Sequence, residues 1–196
     1  MTRRKVAALG LLVGGLSVVG WTGSIYARGW LSQERARSAW EARLAHAAVE
    51  KGRAALAGHT PAIPHEGAPV ARLLIPRIGL DDIVLEGVTE ATLNGGPGHL
   101  PGSVLPAAKG NAIISAHRDR HFRRLGEVEI GDTIVTQTEQ NTTTWVVRSR
   151  KVVERTVPAL YSAPEPTLTL TTCWPIGYLG GAPERLIIKA VPSTRD

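Results

Sequence analysis

The chain predicts an all-β domain of seven or eight short strands, preceded by an N-terminal helical segment. Three observations carry this. Apolar and β-branched runs recur along residues 70–191, separated by Gly/Pro-rich turns. Almost no helix-period pattern interrupts them. The first 56 residues, by contrast, hold one uncharged apolar run and one Ala/Arg/Glu-rich run. A closed barrel or a sandwich of about 125 residues satisfies that strand pattern.

Met1-Thr2-Arg3-Arg4-Lys5 is a basic start, and Val6–Ala27 follows without a charged residue. Its twenty-two residues rise roughly 33 Å as a helix, enough for a bilayer core of about 30 Å. Trp21, Tyr26 and Trp30 lie near the far end, where an interfacial aromatic belt forms. The expectation is a single-pass transmembrane helix with residues 1–5 cytoplasmic and the remainder extracytoplasmic. A cleaved signal peptide with a small-residue site near Ser24–Ala27 is the competing reading.

Residues 28–69 read as a helical stalk followed by a linker. Leu31, Arg35, Trp40, Leu44 and Ala48 fall roughly on helical spacing. Gly58–Pro69 carries three prolines and two glycines. His46 reads as a surface residue. His59 and His65 share the linker, but no cysteine or carboxylate cluster stands beside them, so no metal or other cofactor is expected.

The domain proper spans residues 70–196. Val70–Ile75 and Ile83–Glu86 are predicted strands around the turn Pro76–Asp82. Thr89–Leu93 reads as one helical turn and Asn94–Leu105 as a glycine- and proline-punctuated loop. Asn111–Ala116 is a strand. Thr133–Thr138 and Thr143–Val153 form a hairpin around Glu139–Thr142. Pro158–Pro166 is a loop, and Thr167–Thr172 and Leu186–Val191 are the last strands.

The formal charge of +6 does not mark a nucleic-acid binder. Residues 1–58 carry nine Lys/Arg against three Glu, a net of +6, whereas residues 59–196 carry fourteen of each sign. The single cysteine, Cys173, excludes an internal disulfide. It closes the run Thr167–Cys173, while His117 ends the run Asn111–His117 and Arg185 begins the run Arg185–Val191. A thiol, an imidazole and a guanidinium at the ends of three strands suggest a nucleophilic cysteine site at one rim of the β-structure.

Thr169-Leu170-Thr171-Thr172-Cys173 followed by Trp174-Pro175 resembles the TLxTC signature of sortases, the cysteine transpeptidases of bacterial surfaces. The twelve-residue step from Cys173 through Tyr178 and Ala182-Pro183-Glu184 to Arg185 is similar to the class D pattern. Gly96-Pro97-Gly98-His99 and Ser115-Ala116-His117-Arg118-Asp119, with Phe122-Arg123, resemble two further family segments. Ala116 stands where a glycine is usual, and Trp174 where many class D members have tyrosine. The resemblance covers about residues 70–192.

It implies a closed sortase-like β-barrel and a membrane-anchored enzyme with Cys173 as nucleophile, His117 as general acid and base, and Arg185 as donor to substrate or oxyanion. The implied substrate is a surface protein with a C-terminal LPXTG-like sorting signal, cleaved between Thr and Gly. The implied acceptor is an amine from a cell-wall peptide or a pilin lysine. Thr172, Trp174, Leu160, Tyr161 and His99 are the candidate substrate-binding residues. Asp119 is a candidate to orient His117 but reads better as a turn carboxylate, and His121 is a weaker candidate base. Family members sometimes use calcium, yet no carboxylate cluster here points to it. A hydrolytic cysteine peptidase on the same fold and a non-catalytic, anchored peptide-binding barrel are the alternatives.

Overall fold

Eight strands close into a barrel in the order β1-β2-β3-β4-β7-β8-β6-β5, with β5 returning to β1. They are β1 Pro69–Ile75, β2 Leu80–Glu86, β3 Gly98–His99, β4 Asn111–Ser115, β5 Thr133–Gln137, β6 Thr142–Glu154, β7 Thr167–Trp174 and β8 Glu184–Pro192. The computed structural model describes residues 3–51, 64–156, 163–178 and 180–193; the side chains of residues 3–10, 25–26 and 48–51 fall outside it. A closed barrel, rather than a sandwich, is the outcome.

Alternation explains the core. In β8, Leu186, Ile188 and Ala190 are buried inward, and in β7 so are Leu168 and Leu170. Trp145 of β6, Phe122 and Leu125 of the β4–β5 connection, and Leu73 and Ile75 of β1 complete the same cluster. Trp145 keeps its indole N–H satisfied by donating to Thr136 Oγ1 at 2.7 Å.

One strand was absent from the sequence pattern. Gly98–His99, expected as loop, forms β3, paired parallel to β2 and antiparallel to β4. Two residues beginning with glycine carry too little periodicity to be read as a strand. The glycine is required by the tight crossing: a Cβ at Gly98 would meet the Gly87 carbonyl oxygen at 2.2 Å.

The expected helical turn is α2, Glu90–Gly95, with Thr89 at its N-cap accepting from Thr92 N. The N-terminal segment is one continuous helix, α1, Arg3–Lys51. Its second half does not stand clear as a stalk. Ala36 and Trp40 bury against Ile83 and Leu85 of β2. The Gln33 amide donates to Ile83 O and Gly95 O at 3.1 and 2.9 Å and accepts from Ile83 N at 2.8 Å. Gln33 thereby completes the hydrogen bonding of β2 where no strand lies beside it.

The transmembrane segment expected over Val6–Ala27 is not supported as a span. Among the described residues no helix is long and apolar enough to cross a membrane. Glycine, serine and threonine dilute the described part of the run, and its apolar start at residues 6–10 has undescribed side chains. Residues 11–23 are nonetheless exposed on every face, including Leu11 at 80% and Trp21 at 71%.

Candidate active site

β4, β7 and β8 are neighbours in the barrel, and their registers bring three distant residues into one row. β4 runs parallel to β7, with Ser115 opposite Thr171. The pairing continues past the strand end: Ala116 N donates to Thr171 O at 3.3 Å. His117 therefore stands level with Cys173. On the other side of β7, Cys173 pairs directly with Arg185 of β8. Strands lie about 5 Å apart, so neighbouring side chains on one face are within reach of each other.

The face follows from alternation. Leu168 and Leu170 point inward, so Cys173, five and three residues on, points outward. Leu186 and Ile188 point inward, so Arg185 points outward with it. Cys173 is exposed and free. Arg185 is half-buried, and its guanidinium has no hydrogen-bond or ion-pair partner among the described residues. A cation held at a rim without a carboxylate is available to an incoming anion or carbonyl oxygen.

His117 has a neighbour that the sequence did not single out. Its Nε2 lies 3.3 Å from Glu90 Oε1 at the start of α2. The approach lacks hydrogen-bond alignment, and the buried Nε2 remains without a partner. Glu90 thus sets a negative charge beside the ring without satisfying the nitrogen. Asp119, the sequence candidate for orienting the ring, is exposed and makes no side-chain hydrogen bond among the described residues. The one signal for Glu90 was its place at the first turn of a predicted helix, and nothing local tied that turn to His117.

Arg118 was likewise missed. Its guanidinium donates to Pro175 O at 3.1 Å and to Gly180 O, and lies 5.9 Å from the Tyr178 ring centroid. The residue after the histidine therefore clamps the loop that follows the cysteine. This ties the His117 and Cys173–Arg185 segments into one unit.

The candidate substrate residues separate. Thr172 is only 4% exposed and donates to Ala116 O at 2.7 Å. Lying one residue from outward-facing Cys173, it points inward and ties β7 to the His117 segment instead of lining a groove. Trp174 is half-buried against the core, with Arg150 5.5 Å above its ring and Gly126 beneath it. A Cβ at Gly126 would meet that ring at 3.1 Å, so any larger residue at this position in the turn Leu125–Glu127 would press on Trp174.

His99 does not reach the rim. It is 3% exposed, with Nδ1 2.7 Å from Glu86 Oε2 and Nε2 within 3.0 Å of Val104 O and 2.9 Å of Ser103 Oγ. It pins the Leu100–Val104 loop to β2, a structural role that replaces the expected substrate contact. His121 is tied to Asp82 at 2.8 Å, on the α1 side of the barrel. Leu160 and Tyr161 lie outside the described residues. Among the described residues no group of three or more His, Cys, Asp or Glu gathers to hold a metal ion.

A thiol, an imidazole and an unpaired guanidinium in one outward-facing row can perform acyl transfer. The thiol supplies the nucleophile, the ring moves the proton, and the guanidinium holds an oxyanion.

Known proteins resemble the chain in the same region. The Sortase domain family model matches residues 73–193. Sortase D of Bacillus subtilis (strain 168) is 34% identical over 127 residues, 64% of each chain, so the match spans under two thirds of that relative. The catalytic domain of B. anthracis SrtD matches with a TM-score of 0.57 at 31% identity, covering 70% of this chain and 96% of that one. The Sortase D5 transpeptidase of Clostridium perfringens shares the fold with a TM-score of 0.69 at 22% identity, covering 82% and 98%.

Proposed function

The chain belongs to the sortase family, and we propose that it is a membrane-anchored, class D-like cysteine transpeptidase acting on an LPXTG-like sorting signal. The observation that carries this reading is the outward row in which Cys173 stands opposite Arg185 and level with His117.

In the first step the Cys173 thiolate attacks the carbonyl carbon of the signal's threonine. Arg185 donates to the oxyanion that forms. The Thr–Gly C–N bond breaks, and His117 delivers a proton to the departing glycine amine. The threonine remains as a thioester on Sγ. In the second step an amine attacks the thioester carbonyl, His117 takes up the amine's proton, and the thiolate leaves. A thioester suits this chemistry because it reacts well with amines. The acceptor is a cell-wall peptide amine or a pilin lysine, and the product is an anchored or linked surface protein.

The membrane assignment rests on the basic start Arg3-Arg4-Lys5, the uncharged run Val6–Ala27, and exposure of residues 11–23 around the whole helix. A helix stretch that is exposed all round and carries no charged side chain finds its partner in lipid. The N-terminus is then cytoplasmic and residues 70–196 are the extracytoplasmic catalytic domain.

The test is mass spectrometry of the full chain in detergent with a library of LPXTG-like peptides. The expected result is a Cys173 adduct carrying the peptide up to its threonine, and none with Cys173→Ala. Adding an amine should convert the adduct to an amide product. Free acid as the main product despite the amine would identify a hydrolase instead. Peptide binding without an adduct would identify a binding module.

A further inference from the structure

Outside the row of Cys173, His117 and Arg185, α1 meets the barrel at a junction rich in arginine. A cavity of about 350 Å³ lies there between the helix and the segment that follows His117, lined by Trp30, Arg120 and Arg123 among others. A second cleft adjoins it and shares Arg120; Trp21, Arg28 and Ser32 of α1 and Ala91, Asn94 and Gly95 of α2 complete it.

The charge of this region is one-sided. The two carboxylates lining the cavity are already engaged: Asp81 by Arg72 at 2.6 and 2.7 Å, and Asp82 by His121 at 2.8 Å. The guanidinium groups of Arg28, Arg120 and Arg123 have no hydrogen-bond or ion-pair partner among the described residues. Three unneutralised guanidiniums thus face one pair of connected clefts. Both flanking tryptophans are exposed, Trp21 at 71% and Trp30 at 65%.

Position supplies the partner. The second cleft begins at Trp21, at the end of the exposed uncharged stretch of α1, residues 11–23. An indole pair and an arginine cluster at the end of an apolar helix are the groups suited to the headgroup layer of a bilayer. We propose that these clefts bind the phosphate of an anionic phospholipid headgroup, with Arg28, Arg120 and Arg123 as its donors. The barrel is thereby held with the Arg118–Arg124 segment toward the membrane. This rests on the reading of an N-terminal membrane segment.

A consequence is local. α2 carries Ala91 and Asn94 on the cleft and Glu90 beside His117. A bound headgroup therefore orders both supports of the imidazole, the α2 turn and the segment after His117.

The test is hydrogen exchange of the full chain in nanodiscs of phosphatidylglycerol or of phosphatidylcholine. Amides of residues 118–124 should exchange several-fold more slowly in phosphatidylglycerol. The difference should vanish in R120Q/R123Q and at salt near about 0.5 M, where exposed charges are screened. R120K/R123K should retain most of it, because lysine still binds phosphate as a point charge. Equal exchange in both lipids, or a lipid difference that survives R120Q/R123Q, overturns the headgroup contact and leaves the anchor standing. Protection by soluble glycerol phosphate in phosphatidylcholine discs overturns the assignment to lipid. A chain that enters neither nanodisc removes the anchor and this inference together.

Discussion

Replacing Arg185 with lysine keeps a positive charge in the row but removes the planar fork of donors. The guanidinium has no partner among the described residues, so its loss should leave thermal unfolding unchanged while acylation slows by roughly 10²-fold or more. Single-turnover formation of the Cys173 adduct, run beside a melting curve, reads both. Cys173, His117 and Arg185 were legible as residues because each sits at a strand end in a short, recognisable motif. Their neighbours were not. Glu90 and Arg118 meet the site only through backbone paths of distant segments, and no local pattern announces a carboxylate 27 positions before a histidine. His99 shows the reverse limit: its motif was visible, but its burial against Glu86 was not.

At the scale of elements, Arg118 is the link between the His117 segment and the β7–β8 connection. Arg118→Ala should speed amide exchange across residues 176–183 and lower the acylation rate, with little change at β1 or β5. Lysine should not rescue it, because it lacks the two separate guanidinium nitrogens that donate to Pro175 O and Gly180 O beside the Tyr178 ring. A second prediction concerns the seam between α1 and the β1–β2 hairpin. Arg72 holds the Asp81 carboxyl below the ordinary carboxylate range, chiefly through their hydrogen bonds, and Arg37 of α1 adds to the effect. A carboxyl lowered in the folded state stabilises it fully above the ordinary value near about 4 and loses that contribution as pH falls through the depressed value. Acidification through that window should therefore loosen this seam, seen as faster exchange in residues 33–44 and 80–86. Asp81→Asn should flatten the response. The strands here were legible from alternation. β3 and the docking of α1 were not, since each depends on a partner far along the chain.

For the whole molecule, the second half of α1 is part of the folded body and not a tether. Trp40 is 2% exposed among Ile83, Leu85 and Ala36. Trp40→Ala should cost about 3–5 kcal/mol of the helix–barrel interaction. Denaturant unfolding should then lose its single transition, the helix separating before the barrel, whereas one shared transition in the variant would show that the two are not coupled through Trp40. The chain's own order of residues determined the all-β class, the strand pattern, the lone cysteine at a strand end and the family motifs, because period-two alternation and short motifs are local properties. Tertiary structure decided that the strands close into a barrel and that β4 lies parallel to β7 across 56 positions. It also decided which of the histidines stands level with the thiol. Those outcomes depend on pairing registers between segments far apart in the chain, and a register is set by which faces can be buried together in three dimensions.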